Sequence, residues 1–287
     1  LVNGRGSITG NALISHPDID MVGFTGGTAT GRAIAESAGR QLKPVALELG
    51  GKSANIIFDT ADVERALDGA LAGIFANNGQ QCLAGSRILV QRGIADVLIE
   101  RFVARARKIR IGDPMLATTE IGPLAFRAHL ERVLSYVEVA QSDGAALLTG
   151  GKRATAPDKG WFMEPTAVMA PSNDVRVCQE EIFGPFATFL TFDTLDDAIR
   201  LANDSKFGLV NYVWSEDLHT VMRCSRDIRA GTVWVNTPMM RELRAPFGGY
   251  KESGIGRDGP QASLEFFTEL KSTIIPIDPI KMHRFGA

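Results

Sequence analysis

Disulfide bonding and structural zinc are the first possibilities to fall away. The 287-residue chain has only three cysteines, Cys82, Cys178 and Cys224, widely spaced, and four histidines. An odd number of cysteines with no ligand-type spacing implies neither a disulfide framework nor a metal site, and leaves room for one reduced, functional thiol. An excess of either charge is also missing. Lys and Arg number 31 against 33 Asp and Glu, a net charge of −2, so no basic surface for nucleic acid is expected. No apolar run approaches the roughly 20 residues that cross a bilayer, and the opening LVNGRGSITG has no charged stretch ahead of an apolar one. No membrane partner is expected, and the location expected is cytoplasmic. Repeats and low-complexity tracts are absent too.

What is present is the composition of a packed protein: 45% of residues are hydrophobic and 22% charged, enough apolar material for one large core or two smaller ones. The chain begins without Met in a Gly-rich segment, residues 2–10, that reads as the middle of a fold, so a truncated polypeptide is the expectation.

Apolar runs predict strands at 19–25, 44–49, 54–58, 87–91, 164–169, 186–192, 210–215 and 231–236. Between them, helical spacing predicts helices at 28–39, from 62 to about 77, and over 95–108, 127–141, 195–203 and 218–228, with Asp59 and Thr60 as caps of the second. Strands alternating with helices imply a parallel α/β sheet. PFGGYKESGIGRDGP reads as a long Gly-rich loop, and residues 269–277 as a terminal strand.

Two residues carry chemistry on local grounds. Cys82 follows Gly79-Gln80-Gln81 in a turn between a helix and a strand, where backbone can approach a substrate closely. A lone cysteine is more often a small buried hydrophobe. Glu48 ends an apolar strand and is followed by Gly50-Gly51; partial desolvation there raises a carboxyl toward the range of a general base. The competing reading is an ordinary carboxylate that caps a turn or pairs with Lys52.

Taken together, ELGGKSANIIF and the downstream GQQC resemble the two active-site signatures of the aldehyde dehydrogenase superfamily. Phe24-Thr25-Gly26-Gly27 resembles its nucleotide-site turn, Glu181-Ile182-Phe183-Gly184-Pro185 its nicotinamide-ribose motif, and Pro246-Phe247-Gly248-Gly249 its C-terminal loop. These motifs stand in family order along nearly the whole chain. The resemblance implies that Cys82 attacks an aldehyde to give a thiohemiacetal, that hydride passes to NAD or NADP to leave a thioester, and that Glu48 activates water to hydrolyse it. It further implies that Gly6, Thr25, Gly26, Gly27, Gly31 and Leu49 contact the cofactor, the glycines by close backbone approach at a helix N-terminus. On the same basis Glu181 binds the nicotinamide ribose and Phe183 packs beside the ring. Asn236 reads as a structural turn residue.

The fold so implied is α/β: a partial Rossmann-like cofactor domain with an inserted α/β catalytic domain, its N-terminal part absent. The expected boundaries are 1–48 for part of the cofactor domain, 49–226 for the catalytic domain, 227–262 for the return, and 263–287 for an oligomerisation tail that makes a homo-oligomer. The family's remaining oxyanion-hole asparagine and adenosine-side lysine belong to the missing part, so a reactive thiol with little NAD-linked turnover is expected of this chain by itself. RELRAPFGGYKESGIGRDG is similar to the hydroxymuconic semialdehyde dehydrogenases of aromatic-ring degradation. Arg241 and Arg244 can each bind a remote carboxylate bidentately, with Phe247 beside them, although either can pair with Glu242 instead. Two alternatives stay open: a cofactor-independent thiol esterase, and an inactive fragment acting only in assembly.

Overall fold

A computed structural model describes residues 1–155, 157 and 159–286. A short helix, α1 (Asn11–Ser15), precedes a βαβ unit of β1 (Val22–Thr25), α2 (Thr28–Gly39) and β2 (Val45–Glu48). β1 and β2 pair in parallel, Thr25 beside Glu48, and both end at the same level. Ile34 and Ala38 of α2 pack with Leu47 and Leu49 in a small core beneath this sheet.

Five residues after β2 the chain enters a second, larger sheet through β3 (Ala54–Ile57). Then come α3 (Val63–Phe75), β4 (Arg87–Gln91), α4 (Arg92–Ala106), α5 (Arg127–Ser142), β5 (Ala146–Thr149), β6 (Thr166–Met169), α6 (Arg176–Gln179), β7 (Phe186–Phe192) and α7 (Leu195–Asn203). β8 (Phe207–Gly208), β9 (Val210–Trp214), α8 (Leu218–Asp227) and β10 (Thr232–Val235) follow. The order across the large sheet is β10-β9-β3-β4-β7-β6-β5, parallel except for the β5–β6 pair. β3 and β9 are buried throughout, as interior strands covered on both faces must be, which is why their sequences run apolar without alternation. α3 and α4 cover one face with Leu67, Ile74, Leu98 and Phe102; α7 and α8 lie over the other with Leu201 and Cys224.

Several expectations need correction. The cap of α3 is Asp62, whose carboxylate accepts from the Glu64 and Arg65 N–H groups, not Asp59 or Thr60: a capping oxygen must reach the second or third helical amide. β5 and α6 were not legible, both being single-turn-length elements fixed by tertiary pairing. The Gly-rich loop contains β11 (Tyr250–Lys251), paired with β8, and β12 (Gly254–Ile255), antiparallel to β2, and is followed by α9 (Pro260–Phe267). The segment 227–262 therefore serves both sheets, β10 at the edge of the large one and β12 in the small one. Residues 269–277 form no strand in the chain, because nothing among the described residues lies alongside to bond their backbone.

Candidate active site

The site forms where the carboxyl ends of β1 and β2 face the amino ends of β4 and β7. A cleft of about 600 Å³ there is lined by Thr25, Gly26, Gly27, Glu48, Leu49 and Gly50 from the small sheet. From the large-sheet side come Gln80, Gln81, Cys82, Leu83, Ala125, Phe126, His129, Arg132, Glu181 and Phe183. The linker of β2 and β3 runs along its floor.

Cys82 is held by an unusual turn. Asn77, Asn78 and Gly79 lie in succession in the left-handed region, with φ of 50°, 58° and 68°, a conformation that asparagine and glycine tolerate best. The Asn77 side-chain amide donates to Gln80 O at 3.0 Å, and that of Asn78 to Pro123 O at 2.8 Å. On the far side, Tyr212 Oη donates to Leu83 O at 2.6 Å. The floor fits closely: a Cβ on Gly51 would stand 2.2 Å from Cys82 O, so only glycine lets the two backbones meet. The Cys82 side chain is half-buried. Burial, then the Glu181 and Glu48 carboxylates, push its thiol pKa up, opposed by the N–H groups of Cys82 and Leu83. Those two amides are where an oxyanion beside the sulfur would find donors.

Glu48 ends β2 with Oε2 buried and without a hydrogen-bond partner among the described residues. Its pKa is pushed up to about 7, chiefly by burial, then by the Asp258 carboxylate, against the pull of Arg257 and Arg241. It makes no ion pair with Lys52, a linker residue 2% exposed whose amine has no hydrogen-bond partner among the described residues; burial lowers that amine's pKa to about 8.

Glu181 reaches across the linker: its Oε1 accepts from Gly51 N–H at 3.0 Å, and a Cβ on Gly50 would fall 2.3 Å from Oε2. Phe183 has φ of 63°, and its carbonyl meets His129 Nε2 at 2.7 Å. Gly26 and Gly27 lead into the N-terminus of α2. A Cβ on Gly27 would face open space, and Thr28 Oγ1 in the first turn is buried without a hydrogen-bond partner among the described residues. A bare helix N-terminus with an unsatisfied hydroxyl fits a phosphate-bearing ligand, and the half-buried carboxylate of Glu181 opposite fits a pair of ribose hydroxyls.

Of the residues singled out in the sequence, Cys82, Glu48, Thr25, Gly26, Gly27, Leu49, Glu181 and Phe183 meet in this cleft. Gly31 lies one layer back, where its missing Cβ admits Leu49. Gly6 is exposed on a single π-helical turn, Gly6–Gly10, outside the cleft. Phe247 packs in one apolar cluster with Cys82, Leu83, Tyr212 and Trp234. It borders an adjoining cavity of about 230 Å³ together with Arg241 and Asp258. The two arginines part company: Arg244 is tied to Glu242 at 2.7 Å on the surface, whereas Arg241 stacks over the Phe247 ring at 4.5 Å and has no ion pair among the described residues. Asn236, at φ of 51°, bonds the Ser215 backbone in both directions. His129, Arg132 and Asp258 escaped the sequence reading, since nothing in an amphipathic helix or a Gly-rich loop marks which polar side chain turns inward.

Fold and site define a class: a two-sheet α/β protein presenting a thiol and a raised carboxyl beside an anion-ready helix N-terminus. The chain belongs to the aldehyde dehydrogenase family, whose profile matches residues 1–273. It is 44% identical to an aldehyde dehydrogenase of Davidiella tassiana over 96% of this chain and 55% of that one. It is 46% identical to the 5-carboxymethyl-2-hydroxymuconate semialdehyde dehydrogenase of Escherichia coli, over 90% of this chain and 56% of that one. The aldehyde dehydrogenase of Bacillus cereus, solved as an NAD+ complex, superposes with a TM-score of 0.93 at 42% identity, covering 96% of this chain and 56% of that one. The chain thus spans just over half the length of these relatives.

Proposed function

We propose that this chain carries the thiol and the base of an NAD(P)-dependent aldehyde dehydrogenase. The observation that carries the reading is the meeting of Cys82 with Glu48, its carboxyl near pKa 7, in one cleft. The Cys82 sulfur adds to the aldehyde carbon, forming a C–S bond, with the developing oxyanion beside the Cys82 and Leu83 amides. A bound nicotinamide dinucleotide supplies the hydride acceptor for the oxidation to a thioester. Glu48 as carboxylate then takes a proton from water, whose oxygen attacks the thioester carbon; the C–S bond breaks and the acid leaves. The sum is aldehyde, water and NAD(P)+ to acid, NAD(P)H and a proton. Gly26, Gly27 and the first turn of α2 would hold the pyrophosphate, and Glu181 the ribose next to the nicotinamide, with Phe183 at the ring.

A hydrolase without cofactor would leave the α2 N-terminus and Glu181 without a task. For the substrate we propose an aldehyde bearing a remote carboxylate, such as a semialdehyde of aromatic catabolism. Arg241, over the Phe247 ring and close enough to draw down the Glu48 pKa, is the guanidinium we assign to that carboxylate, since Arg244 is already committed to Glu242. A homo-oligomer formed through the tail completes the proposal.

The test is NAD(P)H absorbance with a panel of aldehydes and semialdehyde acids, for the chain and for Cys82→Ala. Little NAD(P)H is expected from the chain by itself; formation that Cys82→Ala abolishes supports the reading, and turnover that survives the substitution refutes it. Arg241→Ala should raise the Michaelis constant for a semialdehyde acid about tenfold or more and leave that for a neutral aldehyde in place, as loss of a charge-assisted hydrogen-bonded pair implies.

A further inference from the structure

The segment from Pro123 to Arg132 joins the two loops on the large-sheet side of the cleft, the Cys82 turn and the 181–184 segment ahead of β7. Pro123 O accepts from the Asn78 side chain at 2.8 Å, and Ala125 N–H donates to Gln80 Oε1 at 3.0 Å, so this segment braces the turn that carries Cys82. A few residues later α5 begins. His129 meets Phe183 O at 2.7 Å, and Arg132 donates to Glu181 O at 2.9 Å. Residues three apart share a helix face, and here they grip two carbonyls two residues apart. A carbonyl only accepts, so His129 Nε2 carries the hydrogen in this arrangement.

The gripped peptide has reason to need holding. Phe183 lies in the left-handed region, at φ of 63°, where a bulky side chain is seldom found, and released backbone would relax out of it. Its neighbour Gly184 presses on the Cys82 turn, since a Cβ on Gly79 would stand 2.0 Å from Gly184 O. His129 is buried, 7% exposed, yet its ring reaches the cleft. Burial lowers its pKa, which favours a neutral donor and puts no second positive charge beside a cationic ring.

We infer that His129 is a positioning residue for the cofactor side of the cleft: its bond to Phe183 O, seconded by Arg132 on Glu181 O, fixes the Glu181 carboxylate and Phe183 ring relative to Cys82. The inference rests on the cofactor reading proposed above. A glutamine places an amide N–H close to where the imidazole Nε2–H stands, so His129→Gln keeps the grip and His129→Ala removes it.

Two measurements on the 287-residue chain decide the matter. Hydrogen–deuterium exchange of the peptide spanning 181–187, without cofactor, should rise about tenfold in His129→Ala, the loss expected of one net hydrogen bond, and stay near wild type in His129→Gln. Calorimetric titration with NAD+ and NADP+ should show about tenfold weaker binding in His129→Ala, recovered to within about threefold in His129→Gln, at melting temperatures near that of the wild type. Unchanged exchange and affinity in His129→Ala overturn the inference, as does equal damage in both variants or a loss that follows a lowered melting temperature. A wild-type chain that binds neither dinucleotide removes the cofactor reading, and the exchange result then decides the grip by itself.

Discussion

Glu48 stands with one carboxylate oxygen buried and unpaired, an arrangement that opposes folding in its ionised form. The folded state holds its proton up to about pH 7 against the ordinary 4.5. Between these values the unfolded chain ionises first, so this residue's contribution to stability is full below pH 4.5 and is lost as pH rises through 7. Glu48→Gln should therefore melt about 2 °C higher than wild type at pH 8, after discounting for the half-open site, with no difference near pH 4. Calorimetry at the two pH values checks this. The same substitution should remove the thioester-hydrolysis step: wild-type turnover should climb about tenfold per pH unit below 7 and level off above it, and Glu48→Gln should show neither the climb nor the plateau. At Cys82 burial, and then the Glu181 and Glu48 carboxylates, raise the thiol pKa. Glu48→Gln deletes one of them, so iodoacetamide should alkylate Cys82 about two- to threefold faster at pH 8 in the variant; a slower reaction would contradict the placement of the two groups.

Elements matter here through what their ends bring together. The β2–β3 linker passes beneath Cys82 with no space for a side chain at Gly51, where the obstacle is backbone. At Gly31 the obstacle is the tip of the Leu49 side chain, which can turn aside. Gly51→Ala should thus cost about 3 kcal/mol or more and displace the nucleophile, whereas Gly31→Ala should cost about 1 kcal/mol and is partly offset by helix propensity. Urea denaturation of both variants measures the contrast, and equal costs would refute it. Gly79 is constrained twice over, by φ of 68° and by Gly184 O, and its alanine variant should resemble Gly51→Ala. The long elements of this region, α3, β4 and β7, were legible because their apolar periodicity spans whole turns or whole strands. β11 and β12, two residues each, have no periodicity to read and exist only because β8 and β2 offer free edges.

At the scale of the whole molecule, the exposed apolar surface is concentrated toward the C-terminus. Leu264 and Phe267 of α9 are 59% and 60% exposed, and Leu270, Ile274, Ile275 and Ile277 are at least 79% exposed. A tail with this many uncovered side chains and unpaired backbone groups has the chemistry of an added strand. Ending the chain after Thr268 should leave the melting temperature of the remaining chain within about 2 °C, because the tail contributes nothing to its cores. The same truncation should reduce its mass in light scattering from an oligomer to a monomer. A wild-type chain that is monomeric would refute the assembly part of the proposal. No helix among the described residues is long and apolar enough to cross a membrane.

The sequence by itself determined the alternation of strands and helices, the family, and the identity of Cys82, Glu48 and Glu181 as residues worth attention, since each sits in a short contiguous motif whose glycines and apolar neighbours are local facts. Tertiary structure alone decided what faces what. His129, Arg132 and Gln80 join the cleft because α5 is bonded to the 181–183 segment ahead of β7 and the segment before α5 to the Cys82 turn, contacts made across about fifty residues of chain. Arg241 and Arg244 look alike in sequence, and only the folded loop gives one to the Phe247 ring and the other to Glu242. The physical reason is the range of the forces involved: backbone conformation and apolar periodicity are set within a few residues, whereas desolvation and hydrogen-bond partnership are set by whichever distant segment the core brings alongside.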